Sequence, residues 1–175
     1  MLLVVTNRDD LTADWLVVEL NKRRARFERF NTEDYPHDAS IRWTPNRAAL
    51  LGLPGSDVDL AEVTSVWYRR PVAPSAPEDV DEELAKWAVR EAQEALDGAW
   101  RTLDARWVNH PDTNQAAGCK PEQLNRAGRI GLVIPPTVVT NDAELLREFA
   151  AINGPKLICK PLYDGWIRLR TGEVQ

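Results

Sequence analysis

The chain has 175 residues, 43% of them hydrophobic and 28% charged, enough for one globular domain or one small domain with part of another, and too apolar for a disordered chain. A formal net charge of −5 argues against nucleic-acid binding through a basic surface. Two cysteines give neither a disulfide framework nor a metal-ligand spacing, MLLVVTNRDD does not read as a signal peptide, and no window reaches membrane-span length, so a cytoplasmic protein with no membrane partner is expected.

Residues 2–6 (LLVVT) form a continuous apolar run, the pattern of a strand buried on both faces of a parallel sheet. Asp10 or Thr12 can cap a following helix from Leu11 to Arg24, with Leu11, Trp15 and Val18 on one stripe and Lys22-Arg-Arg24 at its end. Residues 26–30 (RFERF) alternate as a second strand, so a strand–helix–strand crossover is expected. Ser40–Thr44 and Arg47–Leu51 alternate as well, and with the turn Leu53-Pro-Gly-Ser56 they suggest an antiparallel hairpin on the sheet edge. Val63–Tyr68 is a buried strand ending in Arg69-Arg-Pro71, and the Pro-rich stretch to Pro77 is a stiff linker. A helix from Pro77 to about Asp104 carries an apolar stripe that includes Leu84, Trp87, Ala92, Leu96 and Ala99. Residues 78–104 also hold nine acidic against three basic side chains, the solvated face of that helix, which leaves the rest of the chain close to neutral.

Trp107-Val108 is the next strand. A helix then opens at Lys120 with Pro121 in its first turn, places Leu124, Ala127 and Gly128 on one face, and closes at Gly131. Leu132–Ile134 reads as a buried run, Thr137–Thr140 as a strand, and Asp142–Ile152 as a helix capped by Asn141 or Asp142 and stopped by Asn153-Gly154. Lys156–Cys159 reads as a strand that delivers Lys160 to its buried end, and Tyr163–Arg170 as a hairpin whose last strand is barely begun. The seven tryptophans are expected mostly in the core.

No phosphate-binding glycine loop and no dinucleotide fingerprint follows the first strand, and His37 and His110 have no nucleophile elbow to serve. His110, next to Pro111, reads as a hydrogen-bonded loop residue rather than a base. Lys120 and Lys160 remain. A lone cation at a helix start is disfavoured unless an anion stands nearby, and an ammonium at a buried strand end needs an anion or open solvent. Together the two lysines suggest a polyphosphate clamp.

The chain also resembles the N-terminal half of the ATP-grasp ribosomal peptide maturases, the graspetide or microviridin-type macrocyclases related to the RimK-type glutamate ligases. The resemblance is carried by Val5-Thr-Asn7 with the segment Asp9–Asp14, by Arg29–Asp34, Val66–Pro71 and Trp107–Pro111, by KPEQL from Lys120, by Gly131–Asp142 and by LICKPL from Leu157. These runs lie in family order over residues 3–162.

The resemblance implies an α/β fold: a parallel-rich open sheet with flanking helices, Rossmann-like, in a pre-ATP-grasp domain over residues 1–110, and an incomplete ATP-grasp subdomain over 114–175. It implies that ATP and Mg²⁺ activate Asp or Glu side chains of a ribosomal precursor peptide as acyl phosphates, which a Ser, Thr or Lys of the same peptide attacks to give an ester or amide crosslink. Lys120 and Lys160 match the lysines that contact ATP phosphates. Arg69 and Arg70 either pair with Asp9, Asp10 or Glu33-Asp34 or face a substrate or nucleotide cleft that Trp67 borders. The Mg²⁺ ligands belong to a C-terminal catalytic half that this sequence does not contain, so no catalytic residue is assigned and little or no ligase activity is expected from the chain alone. Family members form homodimers, and a separately encoded catalytic half is the other expected partner. The alternatives are a non-catalytic peptide- or partner-binding module and, more remotely, an unrelated α/β nucleotide-binding protein.

Overall fold

Leu2–Thr6 forms β1, and its apolar run places it inside a parallel sheet, as expected. The computed structural model describes residues 1–154 and 156–162, which fall into two compact units, Met1–Pro111 and Asp112–Gln175. In the first unit β1 leads through α1 (Leu11–Lys22) to β2 (Phe27–Asn31), then to β3 (Ser40–Arg42), β4 (Leu50–Leu53), β5 (Ser56–Asp59), β6 (Ser65–Tyr68), α2 (Glu82–Arg101) and β7 (Arg106–Val108). The main sheet has the order β2-β1-β6-β7, with all three pairings parallel. Leu2 pairs with Phe27 on one side and with Ser65 on the other.

Strand alternation divides the burial. Leu3 and Val5 join Phe30, Val66, Leu51, Val58, Leu96, Ala99 and Trp100 in one cluster, so that face of the sheet is covered by α2 and by β4 and β5. Trp100 lies at its centre, with ring centroids 5.9 Å from Phe30 and 6.4 Å from Trp107. Val4 and Ala13 are fully buried outside that cluster, on the opposite face.

Several expectations need correction. The α1 helix stops at Lys22, and Arg24 takes a left-handed φ of 52°. Its stripe of Leu11, Trp15 and Val18 faces solvent, with Trp15 79% exposed, while the small Ala13 faces the sheet. The short strands form no hairpin on the main sheet. They build a separate antiparallel sheet, β3-β4-β5, whose tight turn at Pro54-Gly55 joins β4 to β5. Strand β5 (SDVD) escapes an apolar search because only Val58 points inward. The α2 helix begins at Glu82, five residues beyond the predicted start at Pro77, because Asp81 caps it by accepting from the Leu84 N–H at 3.0 Å. Of the tryptophans among the described residues only Trp100 is fully buried; Trp15, Trp43 and Trp87 are more than half exposed.

The second unit carries α3 (Pro111–Ala117), α4 (Lys120–Arg129) and α5 (Ala143–Asn153). The α3 helix, PDTNQAA, lacks an apolar stripe and is invisible to periodicity. The α4 helix closes as a Schellman motif, with Leu132 N–H donating to Ala127 O and Gly131 N–H to Gly128 O, both at 3.0 Å, and Gly131 at φ 83°. Asp142 caps α5 by accepting from the Glu144 N–H at 2.8 Å. Leu132 and Val133 are exposed, Val133 at 97%, and only Ile134 turns in, towards Gly128, so the expected buried run is not one. Neither Thr137–Thr140 nor Lys156–Cys159 is a strand: an apolar run becomes one only where a neighbour supplies the ladder, and among the described residues none pairs with them. The expected hairpin at Tyr163–Arg170 lies outside the described residues.

Candidate functional site

Because the strands of the main sheet are parallel, Thr6, Asn31, Tyr68 and Val108 end on one edge, and the loops that follow gather there. Asp10, 4% exposed, organises the loop after β1. Its Oδ1 accepts from the N–H of Thr12 at 3.0 Å and of Ala13 at 3.4 Å, and its Oδ2 from the Thr6 hydroxyl at 3.0 Å and from Arg69 Nε at 3.1 Å. Burial alone would push this carboxyl up, but the hydrogen bonds from Thr6, Thr12 and Ala13 and the charge of Arg69 outweigh it and hold Asp10 below the usual carboxylate range.

Of the predicted cleft residues, Arg69 takes the structural partner. Besides Asp10, its Nη2 donates to the Thr12 hydroxyl at 3.1 Å, and its guanidinium carbon stands 5.7 Å from the ring centroid of the half-buried Trp67. Arg70 differs. Its backbone is left-handed at φ 47°, its carbonyl accepts from Asn7 Nδ2 at 2.6 Å, and its side chain is exposed. Much of the other charge of this edge is paired, although Glu33 Oε2 is buried without a hydrogen-bond partner. Arg8 pairs with Asp34 and Asp38 while its N–H donates to Glu33 Oε1 at 2.6 Å, and Arg29 joins Asp14 to Asn31 and to the Asn7 carbonyl. Asn7 and Arg29 entered the sequence reading only within the runs that carry the family resemblance, and Arg8 was given no role; Asn7 and Arg8 follow the end of β1, whereas Arg29 lies in the middle of β2. His110 packs edge-on against Trp107, centroids 4.9 Å apart. Burial and, behind it, the charge of Asp97 push the Tyr68 phenol up to about 12.

In the second unit Lys120 is the first residue of α4. It is half-buried, and its Nζ donates to the Leu162 carbonyl at 3.2 Å. The helix start is less unusual for a cation than the sequence suggested, because Glu122 stands in the same turn, paired with Arg126. Lys160 is exposed and not at a buried strand end; open solvent removes the penalty expected for it. The Lys120 contact thus brings the main chain two residues beyond Lys160 to the lysine of α4. Among the described residues no group of three or more His, Cys, Asp or Glu could hold a metal ion, and no helix is long and apolar enough to cross a membrane.

The family model described as the MvdD pre-ATP grasp domain matches residues 1–115. Among solved structures, the macrocyclase MdnC of Microcystis aeruginosa MRC, bound with its precursor peptide MdnA, superposes with a TM-score of 0.89 at 22% identity over 99% of this chain and 58% of that one, a likeness of fold. The macrocyclase MdnB of the same organism gives a TM-score of 0.79 at 31% identity over 87% of this chain and 52% of that one. A Chryseobacterium gregarium RiPP-associated ATP-grasp ligase, in complex with ADP and a leader and core peptide, gives 0.75 at 27% identity over 86% and 47%. The chain spans about half the length of the solved proteins it matches. No curated protein matches it.

Proposed function

The chain belongs to the MvdD pre-ATP-grasp domain family, and from that premise we propose that it is the N-terminal portion of an ATP-dependent peptide ligase that crosslinks a ribosomal precursor peptide in the cytoplasm. The observation that carries the reading is the match over residues 1–115, supported by the parallel sheet and by the likeness to MdnB at 31% identity. On this reading residues 1–110 are the pre-ATP-grasp domain and residues 114–175 begin the ATP-grasp domain.

The group such a ligase requires is ATP, which when bound supplies the phosphoryl group that turns an Asp or Glu carboxylate into an acyl phosphate, open to attack by a Ser or Thr hydroxyl or a Lys amine. Lys120 and Lys160 fit its phosphates by charge: Lys120 is half-buried with its ammonium already oriented by the Leu162 carbonyl, and Lys160 stands two residues before that carbonyl. Their role is to hold phosphate oxygens and offset the charge that grows on them. Among the described residues no group of three or more His, Cys, Asp or Glu stands ready as a set of Mg²⁺ ligands. The metal ligands and the groups that handle the acceptor carboxylate are assigned to a C-terminal half, with a homodimer as a further assembly.

A second reading, a peptide- or partner-binding module without activity of its own, is favoured by the apolar side chains of the second unit that face solvent, Val133, Ile152 and Ile158 among them. Calorimetric titration of the 175-residue chain with Mg·ATP, beside a K120A/K160A variant, decides between the two. Micromolar binding lost in the variant supports the lysine clamp, and no heat at millimolar nucleotide refutes it for this chain.

A further inference from the structure

The two arginines after β6 have different environments, and the difference points to a ligand. Arg69 is held by Asp10, Thr12 and the Trp67 ring. Arg70 adopts a left-handed backbone that L residues avoid, its carbonyl is pinned by the Asn7 amide, and its exposed guanidinium has neither ion pair nor hydrogen bond among the described residues. A glycine would take this backbone without strain, yet the chain has an arginine there.

The position adds to this. The chain runs from β1 outward to β2 and then returns to the other side of β1 as β6, so the strand order reverses between β1 and β6. The ends of those two strands flank the crevice where open α/β sheets bind ligands, and the hydrogen bond from Asn7 to Arg70 links the loops that follow them. With Asp10 taken by Arg69, and Asp34 and Asp38 by Arg8, much of the acid that could neutralise Arg70 is committed elsewhere. The planar guanidinium, carried on a held backbone and open to solvent, suits an oxyanion with two parallel acceptors.

We propose that Arg70 binds a side-chain carboxylate of an acidic peptide at this switch-point crevice, making the first unit a peptide-docking element rather than a passive scaffold. The choice of a peptide rests on the function proposed above. The other source of an oxyanion, nucleotide phosphate, is assigned there to Lys120 and Lys160 in the second unit.

The test uses the full chain labelled with ¹⁵N and two synthetic decapeptides, one with three glutamates in a Gly-Ser background and one with glutamines in their place; sodium triphosphate is the third probe. The expected result is that the glutamate peptide shifts the Arg70 Nε–H and Trp67 indole signals and the glutamine peptide does not. Arg70→Gly, which suits the left-handed backbone and so keeps the fold, should weaken binding about tenfold or more, Arg70→Lys less, and the exposed Arg47→Ala not at all. Unchanged affinity in Arg70→Gly overturns the proposal, as does no binding of the glutamate peptide at millimolar concentration. So does triphosphate that shifts the Arg70 signal and displaces the peptide. The Mg·ATP titration reports on Lys120 and Lys160, so failure of the nucleotide reading and failure of the Arg70 site are told apart.

Discussion

Removing the Asp10 carboxylate should be among the most damaging polar substitutions in the first unit. Asp10→Ala removes the cap of α1, a loss of about 1 kcal/mol in comparable helices. It also strips the fully buried Thr6 hydroxyl of its one side-chain partner, a desolvated group left unpaired at about 1–3 kcal/mol. Arg69 is about a third exposed, so water replaces much of what it loses and it adds little. The total is about 3 kcal/mol, which in a chain of this size lowers Tm by roughly 6–12 °C. Asp10→Asn keeps one oxygen for the cap and sets an amide against Arg69, so about half that loss is expected. Urea unfolding followed by tryptophan fluorescence measures both. The pH dependence has a definite sign. Because the folded carboxyl is held below its unfolded value, its contribution is complete above about pH 4 and is lost as pH falls through the folded value. The stability gap between the parent and Asp10→Asn should therefore stay level from neutrality to about pH 4 and close below it. A cost of Asp10→Ala under about 1 kcal/mol, or a gap that widens in acid, would refute the reasoning.

Tyr68 gives the opposite sign at high pH: its phenol is raised from 10.0 to about 12, so the unfolded chain ionises first and stability should fall between those values. Tyr68→Phe should flatten that slope in alkaline urea titrations. Trp100→Ala, at the centre of the main cluster, should cost about 3–5 kcal/mol by chemical denaturation, and Trp15→Ala, on the exposed stripe of α1, under about 0.5 kcal/mol. Gly131→Ala forces an L residue to φ 83° at the end of α4, and helix content there, read from amide exchange, should drop with a loss of about 1 kcal/mol.

The strand β1 was legible because burial on both faces writes itself as an unbroken apolar run, LLVVT, and β2 because RFERF alternates. Where one small residue does the packing, size misleads: Ala13 faces the sheet while Leu11, Trp15 and Val18 look outward, and Val58 is the one buried residue of β5. Thr137–Thr140 and Lys156–Cys159 have strand composition, but pairing is a property of two segments and composition of one. At the site, pairing of Arg69 with Asp10 was foreseeable from charge at neighbouring strand ends. The contacts of Arg69 with Thr12 and Trp67 were not, and neither was the left-handed turn at Arg70, since arginine at such a φ runs against the residue's own preference.

The order β2-β1-β6-β7 also sets a schedule for synthesis. Of the strands of the main sheet, β1, one of the two inner ones, is synthesised first, and it gains a neighbour on one side when Phe27 has emerged and on the other only with Ser65. Its closing partners wait longer still, since Trp100 and β7 follow at the far end of α2. Until then a nascent chain carries a long, apolar, half-paired edge, the kind of surface that binds chaperones or other strands. Ribosome pausing or slow codons placed before Ser65 should therefore lower the soluble yield of this protein more than the same pauses placed after Val108.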